Sequence, residues 1–300
     1  MSVVFLGISA GQPTTRRGMS CIALLRKGDV FLFDCGEAAQ VQYRRAGLGF
    51  ARVSGVFITH MHGDHVTGLP GMLMSLQLSG RTAPLRIAGP RNLEAYLRTT
   101  LRFLETGLDY ELVITEHDSA ERVLETDEFV LTAGPLDHRI PAIGYRLEEH
   151  AYPGTFNVNA ARACGVVDPR QYGVLHRGEA VVTDEGRLVA PSEVMGPSRR
   201  GKVFAYCADT RPCDGGVALG RGADFFVHES TYGEAHVTRA LHSGHSTARQ
   251  AALVASKADA RRLVLTHFSP RYDDVGVLLD EARPLYPKVE AAQELREMQV

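Results

Sequence analysis

The chain has 300 residues and a net charge of −2. That length can bury a large core in one α/β domain or two smaller ones. The near-neutral charge excludes a polycationic nucleic-acid coat, so any nucleic acid must be met by a local basic patch. The basic residues are nearly all arginine; the four lysines are Lys27, Lys202, Lys257 and Lys288.

Short apolar runs alternate with helical patterns from the N-terminus onward. "VVFLG", "SCIALLR" and "VFLFDCG" read as three successive strands, the third ending at Asp34. "EAAQVQYRRAG" follows with helical spacing and Gly47 at its C-terminal end. "VSGVFITH" is the next strand, followed by a helix near 66–79, a strand "PLRIAG" and a helix "RNLEAYLRTTLRFLE" that stops before Gly107. A second series begins after about residue 200, with strands "KVFAYCAD", "ADFFVHE" and "RLVLTH" and a helix around "TARQAALVASK". Between the series lies 150–202, rich in turn signals such as "YPGT" and "DPRQYG" and carrying seven Lys/Arg against five Asp/Glu. It reads as an insertion within a single domain spanning 1–300.

Five cysteines, at 21, 35, 164, 207 and 213, show no C-x-x-C spacing and are odd in number. A disulfide framework is not implied, and a reducing compartment is expected. The N-terminus starts a strand at once, without the charged region and cleavage site of a signal peptide, and no apolar run approaches the ~20 residues of a membrane span. A cytoplasmic protein with no membrane contact is expected.

The densest chemical signal is "ITHMHGDHVTGL", which places His60, His62, Asp64 and His65 within six positions at the end of a β-branched run. A strand that ends in clustered nitrogen and oxygen donors can hold a metal ion at the rim of a sheet. Two later strands end in the same way, at Asp209 and His267, and "GPLDHRIPAIGYRL" adds His138. Taken singly, a strand-end aspartate is as often a helix cap and a lone histidine is more often structural. Together they are seven donors, enough for two ions if one carboxylate bridges. Imidazole and carboxylate without thiolate suit zinc, with manganese or iron as alternatives.

This H-x-H-x-D-H pattern with later His, Asp and His resembles the metallo-β-lactamase superfamily. "LFDCGE", "CADTRPC", "HEST" and "HFSPRY" run in order through the chain, and "PGTFNVNAARACGV" and "HSGHSTARQAA" narrow the resemblance to the ribonuclease Z group, the tRNA 3′-processing endonucleases. The resemblance implies an αββα sandwich: two mixed β-sheets packed face to face, helices outside, and a protruding arm. It implies two Zn2+ per subunit, one held by His60, His62 and His138, the other by Asp64, His65 and His267. Asp209 would bridge them, and Asp34 would orient a ligand histidine. It also implies a metal-activated hydroxide that cuts the 3′ trailer from tRNA precursors, leaving a tRNA 3′-hydroxyl and a 5′-phosphorylated trailer. Asp64 would take the proton of the attacking water, and His245, oriented by Glu229, would protonate the leaving oxygen. Ser269 and Arg271 are suited to the scissile phosphate. The 150–202 arm would reach from one subunit of a homodimer onto tRNA at the other, with Arg162, Arg170, Arg177, Arg199, Arg200 and Lys202 near phosphates and Tyr172 at an exposed tip.

The chain departs from the group in places. "DCGEAAQ" stands where "DCGEGTQ" is common, "HEST" where "HEAT" is, and Asp168 in "DPRQYGVL" where glycine is usual. The rival reading is a phosphodiesterase or esterase of the same fold acting on a small molecule, with the same metal site and no RNA arm. A non-catalytic RNA-binding paralogue is disfavoured because all seven donors are present.

Overall fold

The computed structural model describes residues Met1–Val300. The chain divides into two compact units. One comprises Met1–Glu125, Val130–Leu147 and Val203–Val300; the other comprises Thr126–Phe129 and Glu148–Lys202.

The larger unit contains two seven-stranded sheets. The first is built from β1 (Ser2–Gly7), β2 (Cys21–Arg26), β3 (Asp29–Phe33), β4 (Val53–Phe57), β5 (Leu85–Gly89), β6 (Leu112–Glu116) and the C-terminal strand. The second takes β7 (Glu121–Glu125), β8 (Phe129–Leu136) and β9 (Ala142–Glu149). After a two-stranded ribbon in the smaller unit, β10 (Val181–Val182) and β11 (Leu188–Val189), the second sheet continues with β12 (Val203–Cys207), β13 (Phe225–Glu229), β14 (Leu263–Thr266) and β15 (Val289–Ala291). The chain closes with β16 (Glu297–Gln299). The strand orders are β16-β1-β2-β3-β4-β5-β6 and β15-β14-β13-β12-β9-β8-β7. The first sheet is mixed: β1–β3 pair antiparallel, β3–β6 parallel.

Both faces of the first sheet are buried along β1–β5, which is why those strands read as nearly unbroken apolar runs. In β3, Val30 and Leu32 face the helices, α1 (Ala39–Arg45), α3 (Leu69–Leu78) and α4 (Leu93–Phe103), with the short α2 (Gly63–Val66) between. Phe31 and Phe33 face the other way. Phe33 meets Phe204 of β12 at 5.2 Å and Tyr145 of β9 at 5.6 Å between ring centroids, so an aromatic layer joins the sheets. Tyr145 crosses this layer to donate its hydroxyl to the Ile58 carbonyl at 2.8 Å. The smaller unit holds α5 (Val158–Ala163), α6 (Pro169–His176) and α7 (Pro191–Val194). On the second sheet lie α8 (Asp214–Gly220), α10 (Ala248–Lys257) and α11 (Gly276–Ala282), with α9 (Val237–Ser243) leading into α10. The result is the αββα sandwich. The helix expected near 66–79 is two pieces, because the backbone of Gly68 closes on the loop after β3: a side chain there would strike the Gly36 carbonyl at 1.8 Å.

The smaller unit has its own core, with Ala161, Val166, Leu175, Val181, Val189 and Val194 buried together. Asp168 caps α6, its carboxylate accepting from the Arg170 amide at 2.9 Å ahead of Pro169. That accounts for an aspartate where glycine is usual. Tyr172 is not at an exposed tip. Its ring packs against Phe156 at 5.2 Å and its hydroxyl donates to the Val166 carbonyl at 3.3 Å, because an α6 residue on that face must cover the small core.

Candidate metal centre

The loops that leave the C-terminal ends of β3, β4, β12, β13 and β14 meet at one rim of the sandwich. His138, after β8, joins them, and a cavity of about 380 Å³ beside them is lined by His62, Asp64, Asp209, His245 and His267. The loop after β4 is drawn in by backbone bonds: the Cys35 amide donates to the His65 carbonyl at 2.8 Å and the Gly68 amide to the Cys35 carbonyl at 2.9 Å. Two site residues carry left-handed backbone, Asp34 at φ 59° and His267 at φ 57°. Non-glycine residues persist there only when their surroundings hold them, and such strain collects at functional sites.

His60, His62, His138 and Asp209 form one group of converging donors; Asp64, His65, Asp209 and His267 form a second. Asp209 belongs to both and is divided between them. Its Oδ1 lies 3.2 Å from His267 Nε2 and 3.3 Å from His65 Nε2, and its Oδ2 lies 3.6 Å from His60 Nε2. Asp64 Oδ2 stands 3.4 Å from His267 Nε2 and accepts from the Gly11 amide at 2.8 Å.

Four imidazoles are tied from behind. His60 Nδ1 donates to Thr59 Oγ1 at 3.1 Å, and His65 Nδ1 to Asp34 Oδ2 at 2.8 Å. His138 Nδ1 donates to the Gly244 carbonyl at 2.7 Å, and His267 Nδ1 to Thr231 Oγ1 at 2.9 Å. With the proton on the outer nitrogen, each inner nitrogen presents a lone pair. Asp34 is itself saturated, since it also accepts from the Thr59 amide and hydroxyl and from the Tyr206 hydroxyl at 2.9 Å.

The inner nitrogens face one another closely: His60 to His62 at 3.0 Å, His62 to His138 at 3.2 Å and His65 to His267 at 3.2 Å. Lone pairs at that range repel unless a cation lies between them. The spacing is that of neighbouring ligands around a tetrahedral ion with bonds of about 2.0–2.1 Å, which sit about 3.3 Å apart. Asp209 Oδ1, buried and without any hydrogen-bond donor, is an anionic atom left for the same cation. The donor set fits a divalent metal.

The electrostatics of three histidines and of both carboxylates agree; His65 is the exception. Burial pushes the His60, His62 and His138 imidazoles down, keeping them in the neutral form that coordinates. Burial also opposes charge on Asp64 and Asp209, yet the surrounding histidines outweigh it and hold both far below the ordinary carboxylate range. For His65, burial is outweighed by the Asp209 and Asp34 carboxylates, which raise it well above the usual value.

Beside the donors stands a second arrangement. Glu229 Oε1 accepts from His245 Nδ1 at 2.9 Å and from the Thr210 amide at 3.0 Å. Burial works against protonating His245, but Glu229 and Asp209 overcome it and hold the imidazole up at about 9. His245 follows Gly244, left-handed at φ 80°, where any side chain would strike His138 Nδ1 at 2.7 Å. Only glycine both ends α9 here and leaves its carbonyl to His138.

Ser269 lines the cavity, whereas Arg271 donates to Ser269 Oγ at 3.0 Å and stacks on Tyr232 at 5.3 Å, outside the lining. The cation that does line it is Arg139, missed in the sequence although it directly follows His138; its stem lies over Gly244. Thr59, Thr231, Tyr206 and the Gly11 amide were also not legible, since each acts through a contact distant in sequence or by a side chain common in any strand. Arg170, Tyr172 and Arg177 belong to the smaller unit; the two arginines are exposed, and Arg177 reaches Glu179 at 3.4 Å.

The sandwich with this donor cluster at its rim defines a metal-dependent hydrolase of the metallo-β-lactamase fold. A family model described as "Beta-lactamase superfamily domain" matches residues 184–268, and one described as "Anti-Pycsar protein Apyc1" matches residues 1–116. The sequence is 44% identical to ribonuclease Z of Salinibacter ruber, over 99% of this chain and 93% of the relative. It is 41% identical to ribonuclease Z of Synechococcus sp. strain WH7803, over 100% and 96%. The crystal structure of human tRNase Z, short form, superposes with a TM-score of 0.73 at 28% identity, covering 100% of this chain and 99% of that one. The chain belongs to the ribonuclease Z family.

Proposed function

We propose that this endoribonuclease removes the 3′ trailer from tRNA precursors at a centre of two zinc ions, leaving a tRNA 3′-hydroxyl and a 5′-phosphorylated trailer. The observation that carries the reading is the division of seven His and Asp donors into two groups sharing Asp209, in a chain 44% identical to a ribonuclease Z along nearly its whole length. His60, His62 and His138 would hold one ion, Asp64, His65 and His267 the other, and Asp209 both. The ions supply Lewis-acid polarisation of the phosphate and acidification of water at neutral pH.

The protein's own groups do the rest. Asp64, oriented by the Gly11 amide, accepts the proton of the attacking water. His245 carries its second proton on Nε2, because Nδ1 is committed to Glu229, and gives it to the leaving 3′-oxygen. Arg139 and Ser269 meet the scissile phosphate from the cavity wall. In the smaller unit, Arg162, Arg170, Arg177 and Arg199 are exposed and contact tRNA phosphates. The protein works as a cytoplasmic homodimer. Leu78 and Phe103, 88% and 76% exposed at the C-terminal ends of the neighbouring α3 and α4, supply apolar surface for a second copy. No helix is long and apolar enough to cross a membrane.

The deciding experiment is incubation with a 3′-extended tRNA precursor and mapping of the cut. Cleavage immediately 3′ of the acceptor stem is expected. Hydrolysis of small phosphodiesters with no cut in the precursor would select the small-molecule reading.

A further inference from the structure

Thr231 sits two residues beyond Glu229, buried to 3% exposure, and its hydroxyl is the meeting point of two systems. It donates to Glu229 Oε2 at 2.7 Å. With its single proton so committed, the oxygen can only accept from His267 Nδ1 at 2.9 Å. The same oxygen lies 3.3 Å from His245 Nδ1. Its main chain reinforces the arrangement: the Thr231 amide also donates to Glu229 Oε2 at 2.9 Å, and the Thr231 carbonyl accepts from the Ser269 amide at 3.3 Å. Glu229 is thus saturated by four donors, His245 and the Thr210 amide on one oxygen, Thr231 twice on the other.

We propose that Thr231 is a positioning residue that fixes the tautomer of His267 and, through one hydroxyl, ties that ligand to the Glu229–His245 pair. The inference rests on the metal reading above and deepens it. Were Oγ1 absent, His267 Nδ1 would lose its acceptor. The ring could then carry its proton on Nε2, the nitrogen that faces Asp64, Asp209 and His65, where a proton competes with a cation. Glu229 Oε2 would lose its side-chain donor at the same time, leaving its hold on His245 looser. The other imidazoles have separate anchors, in Thr59, Asp34 and Gly244, so the effect is confined to the group containing His267.

The test compares the parent with Thr231→Val, which keeps the shape and removes the hydroxyl, Thr231→Ser, which keeps the hydroxyl, and Thr231→Ala. Zinc affinity is read by chelator competition, and the His267 tautomer from long-range 15N–1H imidazole spectra. The Val and Ala variants are expected to retain one zinc at parental affinity and to bind the second about 10–100-fold more weakly, the usual loss when a group behind a ligand is removed. His267 is expected to leave the Nδ1–H form, and Thr231→Ser to restore both readouts. At saturating zinc the Val variant should still show a lower kcat on a small chromogenic phosphodiester with KM unchanged. A Val variant that binds two ions as tightly as the parent overturns the inference alone. A Ser variant as impaired as Val assigns the effect to side-chain volume and overturns it as well. Parental kcat at saturating zinc breaks the link to His245. A parent protein that binds no zinc takes down the metal reading itself.

Discussion

Four imidazoles of the metal centre are each fixed by a hydrogen bond on the outer nitrogen, with the residues that bind them buried in turn. The arginines of the smaller unit are held differently: Arg162 and Arg170 stand exposed, and Arg177 meets only the exposed Glu179. The difference fits the two proposed tasks. A cation needs donors placed to a fraction of an ångström, so the protein commits buried carboxylates, hydroxyls and left-handed backbone to placing them. A phosphate chain is a repeating target met by mobile cations, where charge counts more than position. Precision should therefore be easy to destroy in the larger unit by one substitution, and affinity should be lost gradually in the smaller one.

Asp209→Ala tests the first half hardest. It removes the carboxylate both donor groups share, so both ions should be lost and cleavage should fall by about 10³-fold or more, the several kcal/mol that metal ions contribute. Elemental analysis checks the metals; a variant that keeps two ions would show that Asp209 is not shared. His245→Ala should leave both metals bound and slow cleavage by roughly 10²–10⁴, the span of one proton-transfer group. Loss of metal in that variant would move His245 into the coordination shell and redraw the boundary between ligands and acid.

Deleting residues 155–190 probes the other half. Hydrolysis of a small chromogenic phosphodiester should persist, while binding of precursor tRNA weakens and the slope of log K against log salt flattens by about 3, one for each of Arg162, Arg170 and Arg177. Equal tRNA affinity at matched salt would remove the smaller unit from RNA binding. The smallest effect concerns strain alone. Ala38 holds φ 61° at the start of α1, where the family commonly has glycine. Ala38→Gly should raise stability by about 1 kcal/mol in denaturant unfolding, with the metal centre unchanged. Unchanged stability would mean the surroundings have already absorbed the strain.

How much of this could be read in advance depends on how local each feature is. The strands β1–β5 and β12–β14 are largely continuous apolar runs, and His60, His62, Asp64 and His65 crowd six positions, so both stand out in one dimension. Asp209 and His267 could be proposed because each ends an apolar run; His138 was added without one, and the grouping of the donors came from the family pattern. The strands β6–β8 were not recognised: their exposed and half-buried residues break the apolar pattern that marks a buried strand. Tyr172 was misplaced for a related reason, since glycine beside an aromatic suggests a turn tip until a small core is found to need the ring.

The sequence by itself determined the kinds of donor and the strand ends that carry them, because residue type and apolar periodicity are local properties. The tertiary structure alone decided which nitrogen of each imidazole faces inward, how the two oxygens of Asp209 are divided, and that Arg139 rather than Arg271 lines the cavity. Those depend on partners such as Asp34 and Tyr206, 172 residues apart, which meet only when two sheets close on a shared aromatic layer.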